Sequence, residues 1–352
     1  MLNNYLVTGC IGLVCAAAIV WGRNALPKEQ WQFFASIPMK KEDKEHWNAA
    51  NITWYGLILS TATIFAVAIY LIMLGAAGVP VAASLSLMGL LLAVCLPAAG
   101  LVARIVEKKP ATLTIGGAAF VGGIMAPFLV HLLNRFAAPL FGAEIPLEQA
   151  LAACAVSFLF GEGMGRLACL SYGCCYGKPV DEYRGVFRWI FERSAVVFEG
   201  KNKKIAYASG LAGRKIVPIQ LITMLASSAA GVTTLALYAE GKTLAAYLAA
   251  TAFAGVWRIV SELFRNDYRG KGRISAYQYM SAFSIVYALG ISFFFFGGST
   301  IPSVDLLQGI LTLWSPGILL ILLATWSGLI AYTGISSTTY SRVSFHLHRD
   351  RI

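Results

Sequence analysis

Charged side chains are scarce in this sequence. Asp, Glu, Lys and Arg make up 13% of the 352 residues, whereas Ala, Val, Ile, Leu, Met, Phe, Trp, Tyr and Cys make up 58%. Soluble domains average about 25% charged residues, so this chain has too few polar groups to cover the surface of a water-soluble fold. The shortage excludes a soluble enzyme, a DNA-binding domain and a disordered scaffold. It predicts an integral membrane protein.

Negative charge is the scarcer sign, with 17 acidic against 28 basic side chains and a net charge of +11. The basic residues do not gather on a soluble module, so we expect anionic lipid headgroups, and no nucleic acid, as the partner. The seven cysteines do not form a secreted disulphide framework, because most lie in or beside apolar stretches. The vicinal pair Cys174-Cys175 lacks a second Cys or His pair at ligand spacing, and we expect neither a metal site nor a cofactor.

Nine apolar runs are long enough to cross about 30 Å of hydrocarbon. The first has no basic residue before it and no small-residue cleavage site after it, which predicts an uncleaved anchor helix. Residues 27–39 predict an interfacial amphipathic segment, and 173–216 form the only sizeable hydrophilic loop. The predicted fold class is an all-α polytopic membrane protein, with spans at 5–21, 52–75, 81–103, 113–134, 149–172, 217–238, 243–263, 277–298 and 306–332.

The basic residues are distributed unevenly between the two ends of these spans. Loops that follow odd-numbered spans hold 24 of the 28 Lys and Arg residues, and loops that follow even-numbered spans hold only Arg135 and Lys242. The positive-inside rule therefore predicts that the odd-numbered loops are cytoplasmic and that the N-terminus is outside.

Two predicted spans carry ionisable pairs, Glu162 with Arg166 and Arg258 with Glu262. The members of each pair are one helical turn apart and share a face, toward the side of the odd-numbered loops. An ionised side chain in hydrocarbon costs at least about 2.5–3.5 kcal/mol, so these residues indicate function. Two converging guanidiniums would bind a phosphate through planar, bidentate hydrogen bonds. The alternative is that each pair neutralises itself and stabilises helix packing.

Glycines mark positions where the backbone approaches a neighbour closely. Gly122 and Gly123 lie in the fourth span, and Gly165, Gly173 and Gly177 lie around the arginine of the fifth. Close helix packing through small residues is the alternative for the fourth span. The glycines that follow the fifth span break a helix, which packing explains less well.

Several short segments occur in a set order: 51–57 (NITWYGL), 116–123 (GGAAFVGG), 165–169 (GRLAC) with Gly173 and Gly177, 218–221 (PIQL), 258–265 (RIVSELFR) and Gln278. In this order and spacing they resemble the prolipoprotein diacylglyceryl transferase family, over residues 50–298. The Gly-Cys-Cys-Tyr-Gly run at 173–177 is similar to that of a divergent branch of the family.

The resemblance implies a seven-helix transferase core with one extra helix at each end. We divide the chain into an anchor helix with an interfacial segment (1–50), a transferase-like membrane domain (51–298, with the loop 173–216) and a C-terminal helix with a basic tail (299–352). The implied activity transfers a diacylglyceryl group from phosphatidylglycerol, or another anionic phospholipid, to the cysteine thiol of a prolipoprotein. Glycerol phosphate is released, and the implied location is the bacterial cytoplasmic membrane.

The resemblance also implies roles for single residues. Arg166 and Arg258 match two essential arginines of the family, Tyr55 matches the tyrosine of its tryptophan-tyrosine-glycine motif, and Gly177 matches the closing glycine of its signature. We expect Arg265 to lie closer to water than these arginines. The catalytic candidates are Arg166, Arg258 and Tyr55; the substrate-binding candidates are Gly122, Gly123, Glu162, Gly165, Gly173, Gly177, Gln220, Glu262 and Arg265; further candidates are Cys169, Cys174 and Cys175.

The sequence departs from the family pattern at five positions. Val121 replaces a histidine, Cys169 an asparagine and Cys174 a glutamate, while Ile222 and Thr223 replace a tyrosine and a glutamate. The missing histidine removes the expected proton acceptor. Three functions therefore stay open. They are the family's transferase, a phospholipid-dependent transferase with another acceptor, and an anionic-lipid transporter or non-catalytic membrane protein. The resemblance implies an extracytoplasmic site, which conflicts with the charge rule.

Overall fold

The computed structural model describes residues 2–106, 108, 114–266, 274–296 and 304–352. Within these ranges nine helices are long and apolar enough to cross a membrane, and the protein is mostly helical, which confirms the predicted class. The predicted span ends at 113 and 297–298 lie outside the described residues. The helices are α1 (Leu2–Ala25), α2 (Trp54–Ala76), α3 (Val81–Val106), α4 (Ile115–Phe136), α5 (Ala138–Phe141), α6 (Leu147–Tyr172), α7 (Gly185–Ser194), α8 (Lys204–Ser209), α9 (Ile219–Ala239), α10 (Thr243–Phe264), α11 (Ala276–Phe295), α12 (Leu306–Leu313) and α13 (Pro316–Gly334). The strands are β1 (Phe33–Lys41), β2 (His46–Thr53), β3 (Val196–Val197), β4 (Lys215–Ile216) and β5 (Ile335–Ser344).

Polar side chains cap the starts of two helices that carry family motifs. Thr53 Oγ1 accepts from the Gly56 amide at 3.2 Å at the start of α2. Ser275 and Gln278 form a reciprocal capping box at the start of α11. Backbone groups near hydrocarbon need such partners because lipid tails supply none. The motif segment 51–57 therefore contains the start of α2, and Gln278 stabilises the start of α11, in addition to any role in the site.

Helix α6 lies at the centre of the bundle and packs against α2, α9 and α10. Its contact with α9 is close because of small residues. A Cβ added to Gly163 would lie 3.2 Å from Ser228 Oγ, and one added to Gly231 of α9 would lie 3.0 Å from the ring of Phe160. Close approach of this kind increases van der Waals contact, which drives helix association in a membrane.

A three-stranded antiparallel sheet joins the two terminal regions of the chain. Its order is β1-β2-β5, and the hydroxyls of Ser36 and Ser341 donate to Asn51 Oδ1 at 2.8 and 2.6 Å. The sequence predicts an interfacial segment over 27–39 and a basic tail after the last span. Residues 33–41 and 335–344 are instead the two outer strands, because β2 supplies backbone partners to both of them.

The ninth apolar run is not one helix. The sequence predicts a span over 306–332, whereas α12 ends before Pro316 and α13 begins there. Proline occupies the first position of α13, where its missing N–H is not needed, and it disfavours a helix through the preceding residue. Ser315 Oγ accepts from the Ile318 amide at 3.4 Å. The prediction of a continuous span is wrong, and the membrane-crossing helix is Pro316–Gly334.

Contacts between loops define the two ends of the bundle. We call one end the head end; it is formed by residues 27–53, 173–216 and 335–352. There the buried Lys203 Nζ donates to the carbonyl oxygen of Leu26 at 2.9 Å. At the opposite end Asn4 Nδ2 donates to the carbonyl oxygen of Val304 at 2.7 Å. The loops after α1, α6 and α13 therefore meet at the head end.

Candidate functional site

Five charged side chains from the head-end halves of α6 and α10 and the residue after α10 form a buried cluster. Arg166 Nη2 lies 2.5 Å from Glu162 Oε1, and Glu262 Oε1 lies 3.2 Å from Arg258 Nη2 and 3.6 Å from Arg265 Nη1. None of these side chains is more than 12% exposed, and the arginines are within electrostatic range of one another. The ion pairs Glu162–Arg166 and Arg258–Glu262, which the alternative of mutual neutralisation and helix packing requires, are therefore present. Among the described residues the cluster contains three guanidiniums and two carboxylates.

Arg265 is more deeply buried than the sequence predicts. Its side chain is 3% exposed, compared with 11% for Arg258. The chain after α10 runs beneath the loop that follows α6, because Arg265 forms a β-bridge with Gly177 and the Lys178 amide donates to the carbonyl oxygen of Phe264 at 3.2 Å. The expectation that Arg265 lies closer to water is therefore wrong, since a loop distant in sequence covers it.

A cavity of about 360 Å³ extends into the bundle beside this cluster. Apolar side chains from α2, α3, α4, α6, α10 and α11 line most of it, and Glu162 and Arg258 are the charged groups in its wall. Gly122 and Gly123 also line it. A Cβ added to Gly116 would lie 3.6 Å from Arg258 Nη2, so this glycine leaves room for the guanidinium. An apolar cavity with a few placed polar groups is typical of a ligand site.

Tyr277 is a cavity residue that the sequence reasoning missed. Its ring centroid lies 5.1 Å from Arg258 Cζ, a cation–π contact that restrains the guanidinium. The neighbouring Gln278 donates from Nε2 to the carbonyl oxygen of Ile259 at 3.2 Å and so ties the start of α11 to the end of α10. Adjacency to Gln278 was the only sequence signal that could have identified Tyr277.

Two buried guanidinium nitrogens have no hydrogen-bond partner among the described residues. They are Nε of Arg166 and Nε of Arg258. Leaving a buried donor unsatisfied costs about 1–3 kcal/mol, and more for a charged group. Phosphate oxygens are strong acceptors for guanidinium N–H groups. The unpartnered donors on these two arginines therefore favour binding of an anion.

Three thiols converge where α6 ends. Gly173 adopts the left-handed conformation with φ of 67°, and its amide and that of Cys174 both donate to the carbonyl oxygen of Cys169. This turn reverses the chain and brings Cys174 and Cys175 back to the last turn of the helix. The three Sγ atoms lie within 4.8 Å of one another. The vicinal pair alone is a poor metal site, and the fold adds a third sulphur, that of Cys169, to it.

The loop that carries the vicinal cysteines is fixed from two directions. Gln220, at the start of α9, donates from Nε2 to the carbonyl oxygen of Cys174 at 2.8 Å. A Cβ added to Gly177 would lie 2.5 Å from the carbonyl oxygen of Val217, so only glycine fits there without a shift of the backbone. Gln220 and Gly177 therefore position the loop, and neither residue lines the cavity.

The predicted site residues other than Gly165 fall into two groups. Four line the cavity: Gly122, Gly123, Glu162 and Arg258. Gly165 faces Leu59 of α2, and the ring of Tyr55 packs against that of Tyr172 with centroids 5.6 Å apart. The second group lies at the head end of α6 and includes Tyr55, Arg166, Cys169, Gly173, Cys174, Cys175, Gly177, Gln220, Glu262 and Arg265. The Glu162–Arg166 ion pair connects the two groups.

Comparison with known proteins gives one match. Residues 46–294 fit the family model described as prolipoprotein diacylglyceryl transferase. No curated protein and no solved structure matches the chain. The matched segment covers more than half of the sequence and contains every candidate site residue. The chain therefore belongs to the prolipoprotein diacylglyceryl transferase family, a family of membrane transferases.

Proposed function

We propose that this protein transfers a diacylglyceryl group from phosphatidylglycerol, or a closely related anionic glycerophospholipid, to an acceptor thiol. The observation that carries the proposal is the apolar cavity with Arg258 in its wall, beside a buried arginine–glutamate cluster in which Nε of Arg166 and Nε of Arg258 have no partner among the described residues. Acyl chains are stabilised in the apolar part of the cavity. The phosphate is stabilised by the guanidiniums.

The reaction places its developing charge where the arginines lie. The acceptor sulphur forms a bond to the terminal glycerol carbon of the diacylglyceryl group while the bond from that carbon to the phosphate oxygen breaks. The electron pair of the broken bond leaves with glycerol phosphate, and the thiol proton is released. Fixed cations in a site with little water stabilise such a leaving group without reorganisation. Arg166 and Arg258 are the residues to which we assign this role.

We further propose a prolipoprotein cysteine as the acceptor and the bacterial cytoplasmic membrane as the location. Both follow from the family to which the chain belongs, and the nine candidate spans among the described residues support a multi-pass protein.

The test uses purified protein in detergent with phosphatidylglycerol labelled in its headgroup and a synthetic lipobox peptide. We expect labelled glycerol phosphate to appear only when the peptide carries its cysteine. A peptide with serine in its place is the control for the acceptor. Arg258→Ala should abolish release, whereas Arg135→Ala, an exposed arginine at the opposite end of the bundle, should not. Movement of the lipid between the leaflets of proteoliposomes, with no release in detergent, would favour a transporter instead.

A further inference from the structure

The three-thiol cluster of Cys169, Cys174 and Cys175 has no role in the binding of phosphate by the arginines. Several contacts nevertheless hold the three thiols together. One sulphur comes from the last turn of α6 and two from the loop beyond it, and the Gly173 turn, the Gln220 hydrogen bond and the Gly177 β-bridge hold that loop in place. Cys175 itself has a left-handed backbone with φ of 56°, which a residue other than glycine adopts at a cost.

The spacing of the sulphurs suits one thiophilic ion. A Zn–S bond is about 2.3 Å long, so two thiolates on a tetrahedral zinc ion lie about 3.8 Å apart. The three Sγ atoms already lie within 4.8 Å of one another. Closing the remaining gap takes a movement of about an ångström or less, which small side-chain rotations supply. Thiolate ligands of this kind select zinc and other soft ions over magnesium or calcium.

The charges around the cluster also favour a thiolate–metal complex. A divalent ion with three thiolates carries one net negative charge, which is costly in a buried position unless cations are near. The guanidiniums of Arg166 and Arg265 lie within electrostatic range of Cys175. These two guanidiniums are therefore close enough to offset the negative charge of this complex.

Three protein ligands leave one position of a tetrahedral ion open, as in catalytic zinc sites. The proposed transfer needs a deprotonated acceptor thiol. Among the described residues the cavity wall contains no histidine, and its carboxylate, Glu162, is paired with Arg166. A thiol that coordinates a metal ion is deprotonated outright. Arg166 interacts electrostatically with Cys169 and Cys175 and pairs with Glu162 of the cavity wall, so it connects the thiol cluster to the cavity.

We infer that Cys169, Cys174 and Cys175 form a three-thiolate site for a thiophilic divalent ion of the zinc type, whose fourth position takes the acceptor thiol. On binding, the acceptor S–H bond breaks, a sulphur–metal bond forms and the proton passes to water, with no change of oxidation state. The metal site stands on the geometry of the cluster alone. The role of the fourth position rests on the proposed function.

The test uses Co²⁺ as a spectroscopic probe on the full-length protein, purified under reducing conditions and then freed of reductant. We expect one Co²⁺ per chain, with the sulphur-to-cobalt charge-transfer absorption of three thiolates, and displacement of Co²⁺ by Zn²⁺. Cys169→Ser and Cys175→Ser should each weaken Co²⁺ binding at least tenfold. Cys10→Ser, at an exposed position of α1, should bind as the wild type does. Thermal unfolding of each variant shows whether it is folded. The zinc content of wild-type protein purified without chelator gives a second measurement of the site that needs no variant.

Three results would overturn the metal site. One is the absence of charge-transfer absorption in protein whose three thiols are shown to be reduced. Another is equal Co²⁺ binding in the cluster variants and in Cys10→Ser. The third is a disulphide among the three cysteines in protein whose thiols were blocked before cell lysis.

The fourth position is tested on the Co²⁺ form. A lipobox peptide with cysteine should shift the cobalt spectrum toward that of four thiolates, and the serine peptide should leave it unchanged. An identical spectrum with both peptides would refute acceptor binding. Glycerol phosphate release is measured on the same samples. Metal binding without release would overturn the proposed transfer and leave the metal site intact. Release from wild-type protein that binds no Co²⁺ would overturn the metal site and leave the proposed transfer intact.

Discussion

Arg166 and Arg258 each use part of the guanidinium for an acidic neighbour and keep Nε without a partner among the described residues. Pairing with a carboxylate while keeping a further donor for a ligand needs a planar group with five donors in fixed directions. A lysine ammonium is a compact point charge, so it cannot pair with a carboxylate and bind a phosphate at once in the geometry of a guanidinium. Charge and shape therefore make separate contributions at these two positions.

We expect Arg166→Lys to lower glycerol phosphate release by about 100-fold or more, nearly as much as Arg166→Ala, because the planar fork stabilises the leaving phosphate. Release is measured with the headgroup-labelled lipid. Arg135→Lys, exposed at the opposite end of the bundle, is the matched control and should retain the wild-type rate. A lysine variant that works at near the wild-type rate would show that positive charge alone suffices.

Lys203 is a buried cation with a structural role at the head end. Its Nζ donates to the carbonyl oxygens of Leu26 and Ser171 at 2.9 and 2.7 Å. Burial lowers the pKa of Lys203 from 10.5 to about 8, against the opposing influence of Glu29 and Glu199. The side chain ties the ends of α1 and α6 to the loop, and burial disfavours its charged form.

The lowered pKa of Lys203 predicts a pH dependence of stability. Between about pH 8 and 10.5 the unfolded chain binds more protons at this position than the folded protein does, so the contribution of Lys203 to stability rises with pH in that window. We expect the unfolding temperature of the wild type relative to Lys203→Met to increase from pH 7 to pH 10. Lys201→Met, at an exposed position, should show no such trend. A constant difference across this range would refute the lowered pKa.

Contacts between helices explain the glycine of the tryptophan-tyrosine-glycine motif, Gly56. Gly56 lies on α2 next to Gly334, the last residue of α13. A Cβ added to Gly56 would lie 2.1 Å from Gly334 Cα, and Thr53 Oγ1 donates to the carbonyl oxygen of Gly334 at 3.0 Å. The C-terminal helix is therefore packed against the start of α2 through Thr53 and Gly56, on either side of the catalytic candidate Tyr55.

We expect Gly56→Ala to destabilise the protein by about 1–3 kcal/mol, because the added methyl group forces the two helix backbones apart. Gly89→Ala on α3 is the control. Nothing lies within 4 Å of a Cβ there, and alanine favours a helix by about 1 kcal/mol over glycine. Thermal unfolding in detergent should rank the proteins Gly89→Ala, wild type, Gly56→Ala, in falling order. An unchanged midpoint for Gly56→Ala would mean that α2 and α13 do not approach this closely.

For the whole molecule, the open question is which side of the membrane the head end faces. The charge rule and the family resemblance give opposite answers. Several head-end basic residues have structural partners: Lys203 and Arg265 are buried, and Arg214 pairs with Asp181 at 2.5 Å. A site for an anionic lipid also needs cations wherever it faces. Part of the positive bias therefore reflects folding and binding, not orientation.

We expect the head end to be extracytoplasmic, where the family's acceptors are. The measurement places one cysteine at Lys201, an exposed head-end position, in a chain whose seven native cysteines are replaced by serine. An impermeant maleimide should label Lys201→Cys in intact spheroplasts. Lys242→Cys, exposed at the opposite end, should react only after lysis. The opposite pattern would place the site in the cytoplasm and exclude a secreted lipoprotein as acceptor.

The features that the sequence by itself determined are local ones. Most of the spans follow from apolar runs, because a segment in lipid must satisfy its own backbone and only a helix does so within one segment. The pairs Glu162–Arg166 and Arg258–Glu262 follow from the helical period, since residues four apart share a face. Motif spacing identified the family, which the match over residues 46–294 confirms.

Only the tertiary structure decided the features that depend on contacts between distant segments. Arg265 is buried because the loop after α6 covers it, and Cys169 joins Cys174 and Cys175 because a left-handed turn reverses the chain. The sheet that joins β2 to β5 pairs strands nearly 300 residues apart, such as His46 with Ser344. Hydrophobic periodicity reports the environment of one segment and carries no information about which other segment supplies it.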